Sequence, residues 1–497
     1  MLAHVIYLLS MTILALSVPH PTVSAVSGTL ITVGLIGAWR YAWAGINLAR
    51  AAYFLNFAYP RRRRQAAEAY TARGLKDHAY FLVTTYKIAP EISTRVYRSI
   101  FEAAFRATGG ATIVASIVDE ADARLIRRVM ASVALHHPGR EATVGLKIDK
   151  IEGTGKRDAL ATSLRSIARL NPGRNDIVIF VDGDSCVPHD VVDRSIPFFT
   201  DPSIGAVTTD ELSDTQGGRL FRDWFDLRFS QRHVMMSSMS LGGRVLTLTG
   251  RMSIFRASLA TDPGFVDLVR NDFIDHWRLG RVHFLTGDDK STWFWLLQRG
   301  YKMLYLPDLC TLSIETQPKD GFFESATTLM TRWFGNMLRT NARALALPAS
   351  RIGYFTWWSI LDQALSIWTT LAGPASILLA AFFVSPWILP IYVAWVMFTR
   401  YPFCTVIMSL PRRELPDHLS LPPVFQPGRR RDRQKLHPLP PRSPEMDPPV
   451  GLRPQPDHPS RSALARHELH LHALPCPRMA HPRRGLCRQH HLTPEGP

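Results

Sequence analysis

Cysteines and charged residues are both scarce in this chain. Its 497 residues include five cysteines with no CxxC pair, so neither a disulfide framework nor a structural zinc site is indicated. Charged residues make up only 20% against 46% hydrophobic residues, so membrane-spanning segments have to be considered before a soluble fold. The net charge of +17 favours an anionic partner: a phosphate, a nucleic acid, an anionic lipid or an acidic substrate.

Aromatic residues are almost missing from the last 87 residues, where Phe425 is the only one. The same stretch holds 19 of the 36 prolines and 9 of the 18 histidines, a composition that cannot build a core. We interpret residues 411–497 as a Pro/Arg/His-rich tail that is disordered or frame-shifted. The second interpretation is favoured, because out-of-frame translation of GC-rich DNA tends toward Arg, Pro, His and Ala. We assign the tail no function.

Two apolar runs predict a pair of transmembrane helices within residues 1–50. The runs Leu2 to Val18 and Gly28 to Leu48 each approach the length that crosses a hydrocarbon core of roughly 30 Å. A signal peptide is the alternative for the first run, but that run lacks a basic start and a second run follows at once. No Lys or Arg lies between the runs, whereas Arg61 to Arg64 follow the second, so the positive-inside rule places the next domain in the cytoplasm.

Residues 354–410 form a second apolar region, which predicts about two further transmembrane helices. Gly373-Pro374 and Ser385-Pro386 are possible breaks between them. Asp362 and Arg400 are unusual inside such a region. Two interpretations stay open for them: a position near the membrane interface, or a polar path through the helix bundle.

Residues 66–340 alternate short apolar strands with helical stretches, which predicts an α/β domain on a parallel sheet. Ligands bind at the carboxyl ends of the strands in such sheets. Strands are expected at Ala79–Tyr86, Ala111–Val118, the segment VGLKI and Asp176–Asp182, and helices at Pro90–Phe105 and Arg157–Leu170.

Two motifs suggest a site for a diphosphate. Asp182 and Asp184 flank Gly183 directly after the apolar run IVIFV, and such carboxylates at a strand end can hold Mg²⁺ or Mn²⁺. A solvated turn is the alternative. Lys156 begins a predicted helix, where a cation and free backbone N–H groups favour an anion, while Arg157 is expected to be solvated. The segment GTGK fails as a Walker A motif, since its first glycine and its Ser or Thr are missing.

Two further motifs have both a structural and a functional interpretation. Asp288 and Asp289 begin an amphipathic helix, where an acidic pair is ordinarily capping chemistry. A carboxylate facing a metal site could also deprotonate a sugar hydroxyl. Arg332 and Trp333 precede the second apolar region, as an interfacial anchor or as a stacking platform with a cation for phosphate.

Together these elements, from Tyr80 to Trp333, resemble the membrane-integrated family 2 glycosyltransferases that make cellulose and hyaluronan. The resemblance implies an α/β GT-A (Rossmann-like) cytoplasmic domain inserted between α-helical transmembrane segments. Leu329 stands where the family has Gln. The matched positions imply these roles: Asp119 for the nucleoside, Lys156 for the diphosphate, Asp182 and Asp184 for the metal, Asp289 as the base, Asp288 as its orienting neighbour, Arg332 for phosphate and Trp333 for the acceptor sugar.

Three segments, LTLTGRMSIFRA, TGDDKSTWFWLLQRGYKMLYLPD and TRWFGNMLRTNAR, are most similar to the mannuronan (alginate) synthase branch of that family. This implies processive, inverting transfer of mannuronate from GDP-mannuronate to a β-1,4 polymannuronate chain, with export across the bacterial inner membrane. Arg251 is then a candidate for a substrate carboxylate, with a purely structural role as the alternative. The implied partners are membrane lipid, a PilZ-domain co-polymerase that binds c-di-GMP and an envelope-spanning alginate export complex.

Other functions fit part of the sequence. A family 2 transferase could use another sugar nucleotide, to make a different exopolysaccharide or a lipid-linked glycan. A non-catalytic membrane transporter or scaffold could bind nucleotide through the same domain and would not need a base. No nucleic-acid partner is expected, because the body of the chain has no basic stripe interleaved with aromatic residues.

Overall fold

A single mixed sheet organises the part of the chain that contains the predicted motifs. The computed structural model describes residues 2–16, 27–74, 76–276, 278–283 and 287–409, so the predictions for the tail at 411–497 lie outside the described residues. The strands are β1 (Ala79–Thr84), β2 (Ala111–Ile117), β3 (Val144–Lys150), β4 (Ile177–Asp182), β5 (Ser185–Cys186), β6 (Ile204–Gln216), β7 (Met252–Arg256), β8 (Phe273–His276), β9 (Gly280–His283) and β10 (Lys302–Thr316).

Among the described residues the sheet has the order β3-β2-β1-β4-β7-β6-β10-β5, and β8 and β9 form a separate hairpin. Strands β1 to β4 are parallel to one another, as the alternation of strands and helices predicts. The prediction of a wholly parallel sheet is wrong for the rest, because β7 runs antiparallel to β4 and β6, and β5 runs antiparallel to β10. The first two predicted strands extend too far at their carboxyl ends, by two residues for β1 and by one for β2. The segment VGLKI stops two residues before the end of β3, and the predicted end of β4 at Asp182 is confirmed.

The helices cover both faces of the sheet or flank it. They are α1 (Leu2–Leu16), α2 (Ser27–Tyr53), α3 (Tyr59–Arg73), α4 (Pro90–Arg106), α5 (Glu120–Ala134), α6 (Lys156–Ala168), α7 (Val191–Ser195), α8 (Arg219–Ser240), α9 (Ala257–Ala260), α10 (Pro263–Asn271), α11 (Asp288–Gln298), α12 (Phe322–Leu345), α13 (Ala349–Ile352), α14 (Tyr354–Phe383) and α15 (Ile388–Ser409). A π-helical turn at Phe54–Ala58 joins α2 to α3.

The core lies between the sheet and these helices. Strand β1 is apolar almost throughout, and Phe81, Leu82 and Val83 are fully buried. Such a continuous run, rather than an alternating one, is typical of a strand with both faces covered. Helix α4 instead buries one stripe, which includes Val96 and Ile100, and leaves its other face to solvent. The sheet therefore holds the carboxyl ends of β1, β2 and β4 at fixed positions.

Among the described helices, α14 and α15 are long and apolar enough to cross a membrane. Of the two predicted breaks in this region, Gly373-Pro374 is wrong, since α14 continues through Pro374 to Phe383. The chain leaves the helix before Ser385-Pro386 and α15 begins at Ile388. Near the N terminus, α1 and α2 coincide with the two predicted apolar runs. Asp362 pairs with Arg40 of α2 at 2.7 Å, and Arg400 is exposed.

Candidate active site

A cleft of about 230 Å³ opens at the carboxyl ends of the parallel strands. The chain leaves β1 for β2 and β3 on one side and returns to β4 on the other, so the cleft lies at the point where the strand order reverses. Open α/β sheets bind ligands at this position. The lining residues are Thr84, Thr85, Tyr86, Ile88, Ser116, Val118, Ile151, Gly153, Gly155, Lys156, Ala159, Asp182, Gly183 and Asp184.

Thr84, Thr85 and Tyr86 are lining residues that the sequence reasoning missed. The sequence places them in a strand, whereas β1 ends at Thr84 and the next two residues turn into the cleft. The rule that ligands bind at strand ends could have identified them, had the end of β1 been placed two residues earlier.

The acidic motif follows β4 in a tightly packed turn. A Cβ on Gly183 would lie 2.6 Å from the carbonyl oxygen of Thr84 and closer still to Ile88, so no larger residue fits without a shift of the chain. Asp182 is the last residue of β4, and its N–H donates to the carbonyl of Arg251 at 3.0 Å. The glycine therefore allows Asp182 and Asp184 to lie at the floor of the cleft.

Lys156 joins two acidic motifs that are far apart in the sequence. Its ammonium lies 2.7 Å from Asp182 Oδ1 and 3.2 Å from Asp288 Oδ2. Burial alone would lower the pKa of Lys156, but the carboxylates of Asp182 and Asp288 outweigh that effect and raise it. The side chain is therefore an ammonium at neutral pH. It begins α6, where free backbone N–H groups add to the positive potential.

Asp288 and Asp289 begin α11 but differ in their surroundings. Burial acts to raise the pKa of Asp288, yet the cations of Lys156 and Arg157 outweigh it, so this pKa lies below its usual range. The pKa of Asp289 is raised, first by burial and then by the charge of Asp288. A pair of carboxylates with pKa values pushed apart is typical of sites that divide acid–base roles.

Asp182 and Asp184 have the chemistry to share a divalent cation with a diphosphate. Burial, with the charges of Asp288 and Asp184, raises the pKa of Asp182 to about 6 despite the opposing effect of Lys156. The pKa of Asp184 is raised by burial and by Glu315. No cluster of three or more His, Cys, Asp or Glu among the described residues could hold a metal alone. Mg²⁺ commonly takes one or two carboxylates and completes its shell with phosphate oxygens and water, so these residues fit.

Arg251 is held by two carboxylates that the sequence reasoning did not connect with it. Its Nη1 lies 3.2 Å from Glu211 Oε2, and its Nη2 lies 2.6 Å from Glu315 Oε1. Its Nε donates to Ser313 Oγ at 2.9 Å. These contacts occupy the guanidinium within the protein. Glu211 and Glu315 lie 40 and 64 residues away from Arg251 in β6 and β10, so only the pairing of strands reveals them.

Asp119 and Arg157 lie differently from the other predicted residues. Asp119 is exposed and caps α5 by accepting a hydrogen bond from the N–H of Ala121, while its neighbour Val118 lines the cleft.

The expectation that Arg157 is solvated is wrong, since only 6% of it is exposed. It donates to the carbonyl of Val269 and to Ser291 Oγ, each at 2.9 Å. Lys156 faces the cleft at the start of α6, whereas Arg157 turns into the interior.

Arg332 and Trp333 lie on α12 beside an aromatic cluster. Arg332 is exposed, and Trp333 stacks on Trp224 of α8 with ring centroids 5.9 Å apart and an interplanar angle of 8°. Leu329, at the position where the resembled family has Gln, is 8% exposed and packs with Phe221, Phe225 and Phe229. An apolar contact therefore replaces the family's amide at this position.

Comparison with known proteins assigns the class that this fold and site define. The pattern of the family described as "Glycosyltransferase like family 2" matches residues 77–336. That range contains the cleft, both acidic motifs and the Arg-Trp pair. The chain belongs to this family and has its GT-A fold, with the mixed sheet described above.

Particular relatives extend the match beyond that domain. The chain is 38% identical to "Glycosyltransferase alg8" of Pseudomonas syringae pv. tomato and 40% identical to "Glycosyltransferase alg8" of Azotobacter vinelandii. Each match spans 382 residues, 77% of this chain and 76% of the relative. A solved mannosyltransferase of Pyrobaculum calidifontis, in complex with GDP-Man and Mn²⁺, is 18% identical. The match covers 73% of this chain and 96% of the mannosyltransferase, with a TM-score of 0.45.

Proposed function

We propose that this glycosyltransferase polymerises mannuronic acid from GDP-mannuronate into β-1,4 polymannuronate, the precursor of alginate, with inversion at each transfer. The observation that carries the proposal is the chain of contacts from Asp182 through Lys156 to the Asp288-Asp289 pair. The ammonium of Lys156 contacts both Asp182, which is suited to bind a diphosphate through a metal ion, and Asp288. Next to Asp288 lies Asp289, the carboxylate suited to deprotonate an acceptor. The segments resembling mannuronan synthases, and the two relatives named alg8, favour this sugar over others.

The residues of the cleft have distinct roles in this mechanism. Asp289, whose raised pKa makes it the more basic carboxylate of the pair, takes the proton of the acceptor hydroxyl as the oxygen attacks the anomeric carbon. Asp288 stays ionised against Lys156 and orients its neighbour. Lys156 also contacts the diphosphate. A Mg²⁺ or Mn²⁺ ion held by Asp182 and Asp184 would neutralise charge on the leaving GDP. One displacement without a covalent intermediate inverts the anomeric centre.

We assign the acceptor end of the polymer to Trp333 on α12. Trp333, backed by Trp224, offers a ring face on which a sugar stacks, and exposed Arg332 supplies a cation for phosphate. Asp119, at the rim beside Val118, contacts the nucleoside. Arg251 takes a structural role, because Glu211 and Glu315 hold its guanidinium.

The same proposal places the domain on the cytoplasmic side of the bacterial inner membrane. The apolar helices α14 and α15, with α1 and α2 as further spans, form the export path in contact with membrane lipid. A PilZ-domain co-polymerase that binds c-di-GMP and an envelope-spanning alginate export complex complete the system.

The direct test is incorporation of sugar from GDP-mannuronate by membranes that carry this chain and the co-polymerase. The expected product is an alkali-stable polymer that alginate lyase degrades. Asp289→Asn should lower its formation by about 10²–10⁴-fold, the usual contribution of a general base. Binding of a fluorescent GDP analogue should be unchanged, because Asp289 does not line the nucleotide cleft.

Asp275→Asn is the matched control, since Asp275 is an exposed carboxylate on the β8–β9 hairpin that pairs only locally with Arg281. It should leave polymer formation at the wild-type level. Polymer from another sugar nucleotide, but not from GDP-mannuronate, would contradict the proposed substrate. Full activity in Asp289→Asn would show that Asp289 is not the base.

A further inference from the structure

A buried carboxylate outside the cleft connects three of the helices that carry the proposed machinery. Asp272, which follows α10, is 4% exposed. Ser291 Oγ donates to its Oδ2 at 2.5 Å. Arg343 Nη1 lies 2.9 Å from Oδ1 and 3.0 Å from Oδ2, so one nitrogen contacts both oxygens. Asp272 therefore accepts from two different helices at once.

Each partner of Asp272 belongs to an element with a role in transfer. Ser291 lies on α11, two residues after Asp289. Arg343 lies on α12, ten residues after Trp333. Ser291 Oγ also accepts from Nη2 of Arg157 at 2.9 Å, and Arg157 follows Lys156 directly at the start of α6. The network thus links three helices: α6, which carries Lys156, α11, which carries Asp289, and α12, which carries Trp333.

A second contact ties the same two helices together close to the acidic pair. Gly287, which precedes Asp288, has φ +85°, and a Cβ at this position would lie 3.1 Å from Cγ of Asn336 on α12. Asn336 and Arg343 are seven residues apart, which places them on one face of the helix. Trp333 instead packs toward α8 through Trp224. Helix α12 therefore contacts the base-bearing helix through Asn336 and Arg343 and carries the acceptor platform at Trp333.

From these contacts we infer that Asp272 is a positioning residue, which fixes Asp289 at the correct place relative to the acceptor on Trp333. It touches no reacting group and acts through Ser291 and Arg343. The inference rests on the proposed glycosyl transfer, because it takes Asp289 as the base. Displacement of a base by about 1 Å can cost about 100-fold in rate, so a residue that sets the spacing of α11 and α12 controls turnover rather than nucleotide binding.

The test compares Asp272→Asn, Arg343→Gln and Arg343→Lys in the full-length chain with its co-polymerase. In Asp272→Asn the amide oxygen can still accept from Ser291, but the charge that holds Arg343 is gone. We expect kcat to fall at least about tenfold in Asp272→Asn and Arg343→Gln, with KM for the sugar nucleotide and affinity for a fluorescent GDP analogue within about twofold of wild type. Arg343→Lys should recover part of kcat, since one nitrogen of Arg343 makes both contacts.

Asp262→Ala is the matched control for a local loss of stability. Asp262 caps α10 by accepting from the N–H groups of Gly264 and Phe265, and it has no contact with α11 or α12 in this network. Its kcat and KM should equal those of wild type. If kcat and GDP affinity fall together in Asp272→Asn, or if kcat stays at the wild-type level, the positioning role is rejected.

Hydrogen exchange of the α11 amides gives a measurement that does not depend on the substrate. Exchange at residues 288–298 should accelerate in Asp272→Asn and not in Asp262→Ala, while exchange in β1 and β4 stays unchanged. Unaltered exchange in α11 would overturn the inference. If wild-type membranes make no polymer from GDP-mannuronate, the proposed substrate is rejected, and the exchange experiment still decides whether Asp272 holds α11.

Discussion

Single charges decide how the two carboxylates of α11 differ. Asp288 lies within 3.2 Å of the ammonium of Lys156, whereas the cation next to Asp289 in the sequence is Lys290. Lys290 is only 8% exposed, and its Nζ donates to the carbonyl of Leu246 at 2.7 Å. Burial lowers the pKa of Lys290 to about 8, although the charge of Asp289 opposes this. Below about pH 8 Lys290 is therefore still a cation, and its charge partly offsets the effects that raise the pKa of Asp289.

Replacement of Lys290 by Met should move the acid limb of the kcat–pH profile to higher pH. The positive charge of Lys290 favours the ionised form of Asp289, so loss of that charge raises the pKa of Asp289 further. The proposed base is then protonated at a higher pH than in the wild type. The difference from wild type should disappear above about pH 8, where Lys290 is itself neutral. Lys302→Gln, at a half-exposed lysine that pairs with Asp201, should leave the profile unchanged. A shift to lower pH in Lys290→Met would contradict this account.

At the scale of elements, an aromatic cluster joins α8 to α12. Phe221, Phe225 and Phe229 of α8 surround Leu329 of α12, and Trp224 stacks on Trp333 one turn further along α12. The amide that the resembled family has at position 329 would be placed among these rings. The proposed acceptor platform at Trp333 therefore has an apolar support.

We expect Leu329→Gln to lower the free energy of unfolding by about 1–3 kcal/mol, because a buried amide loses its hydrogen bonds to water among aromatic rings. Leu329→Met conserves volume and polarity, so it should cost less than about 1.5 kcal/mol. Thermal unfolding of both variants in detergent measures the difference. An unfolding temperature of Leu329→Gln equal to that of wild type would mean that the amide finds a partner in this cluster.

At the scale of the whole molecule, one ion pair joins the N-terminal helices to the C-terminal ones. Arg40 of α2 lies 2.7 Å from Asp362 of α14, and its Nε donates to Thr369 on the same helix at 3.1 Å. The Asp362 side chain is 9% exposed and that of Arg40 is 25% exposed. This contact shows what Asp362 does inside an apolar helix, and it brings together segments 322 residues apart.

Removal of one partner, in Asp362→Asn or Arg40→Gln, should destabilise the helix assembly by on the order of 3 kcal/mol, because a buried charge then loses its counter-ion. The double exchange of Arg40→Asp with Asp362→Arg should restore most of that loss. Thermal unfolding in detergent, followed for α-helical content, is the measurement. Equal unfolding temperatures for the single variants and wild type would show that the pair contributes nothing to the assembly.

Much of the site could be located from the sequence, because its signals are local. An apolar run followed by Asp182-Gly183-Asp184 marks a strand end, and the start of α6 at Lys156 follows from helix periodicity. The length of a strand is less certain, since Thr85 and Tyr86 have strand-like composition and yet turn into the cleft. The antiparallel insertion of β7 between β4 and β6 has no local signal, because strand order depends on contacts between distant segments.

The sequence by itself determined which residue types are available at each strand end and helix start. Only the tertiary structure decided which of them meet: Lys156 between Asp182 and Asp288, and Arg251 between Glu211 and Glu315. It also turned Lys156 to the cleft and its neighbour Arg157 to the interior. The physical reason is that successive residues of a helix point about 100° apart, so neighbours with the same charge can have opposite surroundings once the helix packs on a sheet.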